Sequence, residues 1–210
     1  MAAVINNSTA LNAVVSSSTA MTAIASSQTA MAAIFRSSTA LQVVQNNASA
    51  WAIFSNASST VMGKTVAELA GLNPSGYADM NAIASSSTAM TAVASSQTAM
   101  AAIVASQTAR KAIESSNTAI SALSASSRVV TGYATIGTAY NKDCWIVSAC
   151  CTTSNSSSYQ YTIGNFYDSP TTKTGMYGNT HKAVSRFAKN AAVTADTAGG
   201  WQHEIKYIPC

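Results

Sequence analysis

LNAVVSSSTA (residues 11–20), MTAIASSQTA (21–30) and MAAIFRSSTA (31–40) are three copies of one ten-residue unit, and how that unit folds decides the architecture. The unit opens as MAAVINNSTA (1–10) and continues as LQVVQNNASA (41–50). It returns as MNAIASSSTA (80–89), MTAVASSQTA (90–99), MAAIVASQTA (100–109) and RKAIESSNTA (110–119). The consensus is a large apolar residue, any residue, Ala, Ile or Val, two variable residues, Ser, any residue, Thr and Ala. A fixed period marks a repeat architecture and governs the reading of every local motif.

A strand would alternate apolar and polar residues. Here Ala and Ile stand side by side at Ala23-Ile24, Ala33-Ile34 and Ala82-Ile83, and Ala and Met at Ala20-Met21 and Ala89-Met90. Alternation therefore breaks twice per unit. Ala, Met and Leu favour helix. Ten residues at about 100° each leave an apolar stripe about 80° short of closure per unit, so the stripe of a straight helix would drift round its axis and could not face one partner. The spacing predicts one helix of about two turns per unit, closed by a Ser corner, with Ser17, Ser27, Ser86 and Ser96 as N-caps. Helices so short are marginal alone and must stack on their neighbours. A tightly supercoiled long helix and a β-solenoid remain as alternatives.

The 210-residue chain can hold one or two domains with a sizeable core. Charged residues make up 9 % of it, against about a quarter in average domains. Between Met1 and Gly63 the single charge is Arg36. Soluble monomers keep charged surfaces, so a surface of Ser, Thr, Ala and Asn implies cover by identical copies or by a larger assembly. A disordered Ser/Thr linker would not carry Met, Leu, Ile and Val at fixed places. The net charge of +4 is modest and no basic cluster is interleaved with aromatics, which argues against a nucleic-acid partner. No apolar run approaches the roughly 18 residues of a membrane span. The start of the chain lacks the charged and apolar regions of a signal peptide. The repeat begins there without a polar capping unit, an end expected to dock on something.

Taken in order, residues 1–60 form a first repeat block whose last unit carries Trp51, Ile53 and Phe54 at apolar positions. Residues 61–79 break the register and read as a kink or hairpin connector. In it Thr65–Ala70 looks helical, Gly71 suits a C-cap and Asn73-Pro74-Ser75-Gly76 is a turn. Residues 80–128 form a second repeat block that gains charge at Arg110, Lys111, Glu114 and Arg128. From 129 to 210 the composition shifts to Gly, Tyr, Trp and Cys. VVTGYATIGTAY, CWIVSACCTT, YQYTIGNFYD and WQHEIKYIPC are strand-like runs. Ser154–Ser158 and Asp168–Thr172 read as loops, and HKAVSRFAKN (181–190) has helical spacing through Ala183, Val184, Phe187 and Ala188. The fold class expected is α+β: a repetitive short-helix stalk, solenoid or coiled-coil-like, followed by a small β-rich C-terminal domain.

Cys144, Cys150, Cys151 and Cys210 form no C-x-x-C pair, so buried thiols are expected ahead of a disulfide or a metal site. A Ser–His–acid or paired-carboxylate site would need His181 or His203 to converge with Asp143, Asp168, Asp196 or Glu204, and the spacing predicts no such convergence. No catalytic residue, metal or cofactor is expected. The glycosylation-like triplets at Asn7, Asn47 and Asn56 fall where the unit wants polar residues. Binding residues are expected among the aromatics: Tyr159, Tyr161, Tyr167, Tyr177 and Trp201, with Phe166 beside them. Tyr and Trp combine rigid apolar area with a polar handle, and loops are where binding residues concentrate. Core packing would account equally well for half or more of them.

The runs SSSTAMTAIASSQTAMAAI and ASSSTAMTAVASSQTAMAAI, followed by RFAKNAAVTA and the ending KYIPC, resemble tail-fibre and related appendage proteins of tailed bacteriophages. The array that carries the resemblance covers about half the chain. The resemblance implies a structural virion protein, made in the host cytoplasm and commonly homotrimeric; the lack of a convergent acid, base or metal constellation separately leads to the expectation of no catalysis. Its amino-terminal part would attach to other tail, baseplate or collar proteins. Its carboxy-terminal part would contact a neighbouring fibre or a host cell-surface glycan or outer-membrane protein. A collar or baseplate adaptor without receptor binding, a glycan-degrading tip and a bacterial surface adhesin are the alternatives. No functional residue of the family carries over to a numbered position here.

Overall fold

The computed structural model describes residues 2–135, 143–151, 161–168, 180–195 and 202–210. The fold is mixed, with twelve α-helices and one antiparallel five-stranded sheet among those residues. The chain forms two compact units, Met1–Ala119 and Ile120–Cys210.

The helices are α1 (Ala2–Ile5), α2 (Ser8–Val15), α3 (Ser18–Ala25), α4 (Gln28–Arg36), α5 (Ser38–Asn46), α6 (Ala48–Ser55), α7 (Ser59–Leu69), α8 (Met80–Ala84), α9 (Ser87–Ser95), α10 (Gln97–Ala105), α11 (Gln107–Glu114) and α12 (Asn117–Ser124). Most are eight or nine residues long, one to a unit. Their boundaries follow from one polar corner residue in each unit. Ser17, Ser27, Ser86 and Ser96 adopt extended backbone, and each side chain accepts from the N–H three residues on, at 3.2–3.3 Å, as expected of N-caps. Asn7 and Asn47 do the same with Ala10 and Ala50, at 3.0 Å. Cap duty explains the Asn of those two glycosylation-like triplets.

The same residue also closes the preceding helix. The Ser27 N–H donates to the Ile24 carbonyl, and the Ser27 carbonyl accepts from the Met31 N–H. The last turn thus tightens to a three-residue step and the next helix starts at once. Replacing Ser27 or Ser96 with Ala should each cost about 1 kcal/mol. Exposed Ser18→Ala, by contrast, should stay within about 0.5 kcal/mol of wild type in urea denaturation.

Packing completes what the caps begin. Leu11, Met21, Met31, Met80, Met90 and Met100, the first residues of their units, are all but fully buried. Each contributes roughly 1.5–3 kcal/mol by leaving water. The Ala that ends most units is buried too, as at Ala40, Ala89, Ala99 and Ala109, where a larger side chain would overpack. Several helices meet the third helix along: α2 packs on α5, α3 on α6, α4 on α7, α7 on α10 and α8 on α11.

Residues 61–79 supply α7 and the passage to α8. Gly71 ends α7 at φ +75°, with the Leu72 N–H on the Ala67 carbonyl and the Gly71 N–H on the Glu68 carbonyl. A 3₁₀ turn at Pro74–Gly76 follows, and Asp79 caps α8 by accepting from the Ala82 N–H at 2.9 Å. Arg36, at the end of α4, pairs with Glu68 at 2.9 Å and also donates to the Glu68 carbonyl. Arg110 stands where other units have Met or Leu. It is 7 % exposed and donates to the Val104 carbonyl at the end of α10.

The sheet comprises β1 (Val130–Thr135), β2 (Cys144–Cys151), β3 (Tyr161–Phe166), β4 (Lys182–Ala195) and β5 (Gln202–Pro209), in the order β1-β5-β2-β4-β3. The helix expected at 181–190 is instead the start of β4. Between Ile146–Arg186 and Ser148–Ala183 the β4 side advances one residue more than β2, and Ser185 takes φ +53°. Such a bulge shifts the in–out alternation by one. Ala183 is exposed while the adjacent Phe187 and Ala188 are both buried, so the apolar residues at 183, 184, 187 and 188 that imitate a helix do not share one face. Trp145, Ile146, Phe187, Ile205 and Ile208 are buried at the core of this unit. Ser154–Ser158 and most of Asp168–Thr172, expected as loops, lie outside the described residues.

Candidate functional site

The sheet register gathers four polar side chains from three segments that lie far apart in sequence. Ser148 and Cys150 are two apart on β2 and so share a face. Cys150 stands opposite Glu204 of β5, and Ala149 stands opposite Lys182 of β4. One further step along the β2–β4 pair brings His181 beside Cys150. The His181 ring is held at both nitrogens: Nδ1 lies 3.1 Å from Ser148 Oγ, and Nε2 lies 3.0 Å from Glu204 Oε1 and 3.5 Å from Cys150 Sγ. Cys150 is 4 % exposed, while the His181 and Glu204 side chains are 24 % and 22 % exposed. The cluster therefore has a buried floor and a solvent-facing rim.

The chain matches no protein-family description and no curated protein.

Sulfur, imidazole nitrogen and carboxylate oxygen on one side of the ring, with ligand atoms all within 4.8 Å of one another, form a donor set able to hold a cation. Ser148 and Glu204 also bracket the imidazole in the order Ser–His–acid. Ser148 is 9 % exposed in the central strand of the sheet, with its hydroxyl against the imidazole ring.

Two further thiols sit elsewhere on the sheet. Burial, and then the neighbouring Asp143 carboxylate, push the Cys144 thiol up to about 12. Burial, with Cys144 nearby, also raises Cys210. Both stay protonated at neutral pH and are poor nucleophiles.

Of the residues expected to bind, Tyr159, Tyr177 and Trp201 lie outside the described residues, and Tyr161 begins edge strand β3 opposite Ala195. Tyr167 is half-buried just beyond β3, its N–H donating to the Phe187 carbonyl at 3.1 Å. With Asn165, Phe166 and Lys189 it lines a pocket of about 410 Å³. The structure thus brings Phe166 and Tyr167 together beside a lysine. Among the described residues no single helix is long and apolar enough to cross a membrane.

Nothing in the spacing of His181 and Glu204 predicts that they meet, yet the structure brings them together. What joins them is pairing register, which no local spacing encodes. The available signal was the alternation Ser148-x-Cys150 inside a predicted strand, polar atoms on one face of an otherwise apolar run.

Proposed function

We propose that this chain is a structural virion protein of a tailed bacteriophage, a homotrimeric appendage without catalytic activity. In this reading the helical array is a solenoid with three short helices per coil. The first block, residues 1–60, attaches to other tail, baseplate or collar proteins. Residues 129–210 form the outward part that meets a neighbouring fibre or the host surface, with Tyr159, Tyr161, Tyr167, Tyr177 and Trp201 as its contact residues.

One observation carries the reading. Arg36 is the single charged residue before Lys64, and Glu68 already engages it. Apart from Arg36, the exposed positions of the first five units are Ser, Thr, Ala, Asn and Gln, at Thr19, Thr22, Ser38 and Gln45 for example. Such a surface carries no charge to keep copies apart. The resemblance of the decapeptide array to phage appendage proteins points the same way, as does the partnering of helices three elements apart.

Native mass spectrometry of the purified full chain tests the reading. A trimer that persists on dilution to micromolar concentration is expected, and a stable monomer under those conditions would refute it.

A further inference from the structure

We infer that Cys150, His181 and Glu204 bind one divalent cation of the zinc class, with Ser148 positioning the imidazole. The inference stands on the geometry of the sheet and does not depend on a virion role.

Two of the three ligand–ligand distances fit coordination, and the third, Cys150 Sγ to the Glu204 carboxylate, lies within 4.8 Å. Tetrahedral bonds of about 2.3 Å to sulfur and about 2.0–2.1 Å to imidazole nitrogen place those two atoms about 3.5 Å apart. Cys150 Sγ and His181 Nε2 are 3.5 Å apart. Two ligands at about 2.0–2.1 Å lie about 3.3 Å apart at the tetrahedral angle. His181 Nε2 and Glu204 Oε1 are 3.0 Å apart and need only a small opening. Glu204 sits at the partly exposed rim, where its carboxylate has room to adjust.

The chemistry selects the ion. Thiolate and imidazole favour zinc and its neighbours over magnesium or calcium, which prefer oxygen. A thiolate and a carboxylate together neutralise a dication, so the bound site carries no net charge. Three protein ligands leave a fourth position for water on the open side.

Ser148 completes the second layer. With no metal, Nε2–H donates to Glu204 and Nδ1 accepts from the Ser148 hydroxyl. When Nε2 binds the cation, the ring proton resides on Nδ1 and donates to Ser148 Oγ, because a hydroxyl both donates and accepts. The Cys150 thiol proton leaves to solvent as the metal–sulfur bond forms. The partner of the second ring nitrogen fixes tautomer and orientation, and losing such a partner typically weakens metal binding about 10–100-fold. The cation would tie the β2, β4 and β5 segments together at one end of the sheet.

Cobalt(II) is the probe, since it replaces zinc in such sites and is coloured. The full-length protein, reduced and stripped with chelator, should take up one equivalent. It should then show visible bands and a thiolate-to-cobalt charge-transfer band, both lost on adding zinc. Cys150→Ala should abolish the thiolate band and Cys144→Ala should keep it. Glu204→Gln, at a partly exposed position, should weaken binding. Ser148→Ala should weaken zinc about 10–100-fold and leave the cobalt spectrum intact. Absence of the band in the wild-type protein, or its survival in Cys150→Ala, would overturn the site. Unchanged affinity in Glu204→Gln or Ser148→Ala would remove that residue from its role.

Discussion

Gly63→Ala should destabilise the helical unit by about 3 kcal/mol, because the added methyl has nowhere to go. A Cβ at residue 63 would lie 2.7 Å from the Met80 nitrogen and closer still to the Asp79 carbonyl. These are backbone atoms and cannot swing aside as a side chain would. Asp79 is the N-cap of α8, and the Met80 N–H donates to Ser59 Oγ on α7. Any retreat from the methyl therefore strains a cap and a cross-link together. Gly76→Ala is the control, since a Cβ there meets nothing within 4 Å. Urea denaturation followed by the helical circular dichroism signal should show the midpoint falling sharply for Gly63→Ala and hardly at all for Gly76→Ala. Equal midpoints would mean that α7 and the start of α8 are less closely apposed than described.

Trp145→Ala should cost the sheet unit about 3–5 kcal/mol, the usual range for a large aromatic lost from a core. Trp145 is fully buried and meets Phe187 edge-on, with ring centroids 4.8 Å apart and planes at 62°. Its indole N–H has no hydrogen-bond partner among the described residues. Trp145→Phe removes that unsatisfied donor while keeping much of the aromatic contact, so it should cost far less than Trp145→Ala. Neighbouring Cys144 supplies the readout. Its thiol is buried and held at about 12, so it reacts only on opening. Pulsed alkylation across a denaturant series should label it much earlier in Trp145→Ala than in Trp145→Phe. Indistinguishable curves for those two variants would show that the aromatic contact with Phe187 contributes little.

The helical unit was legible because its determinants are local. The drift of a ten-residue period past the helical turn demands a break in every unit, and Ser or Asn at the corner supplies it. Both statements follow from residues within ten of one another, as at Ser27 and Met31. Gly71 and the turn at Asn73-Pro74 were legible for the same reason. The β4 segment imitates a helix because the adjacent Phe187 and Ala188 are both buried, which removes strict alternation from a strand whose cover is set by residues distant in sequence. The His181 cluster was illegible for a related reason. Cys150, His181 and Glu204 come from three segments, and only the order β5-β2-β4 brings them within reach. Tyr167 and Phe166 stand out in the sequence by residue type alone, and Lys189 joins them from β4 through pairing that residue type cannot report.

A corner residue that ends one helix and begins the next leaves no slack between them. Length can then change only by whole units, since a partial one would strand a helix end without its cap. The array can thus grow or shrink only in steps of one capped helix, and α7, longer than its neighbours, meets α4 on one side and α10 on the other.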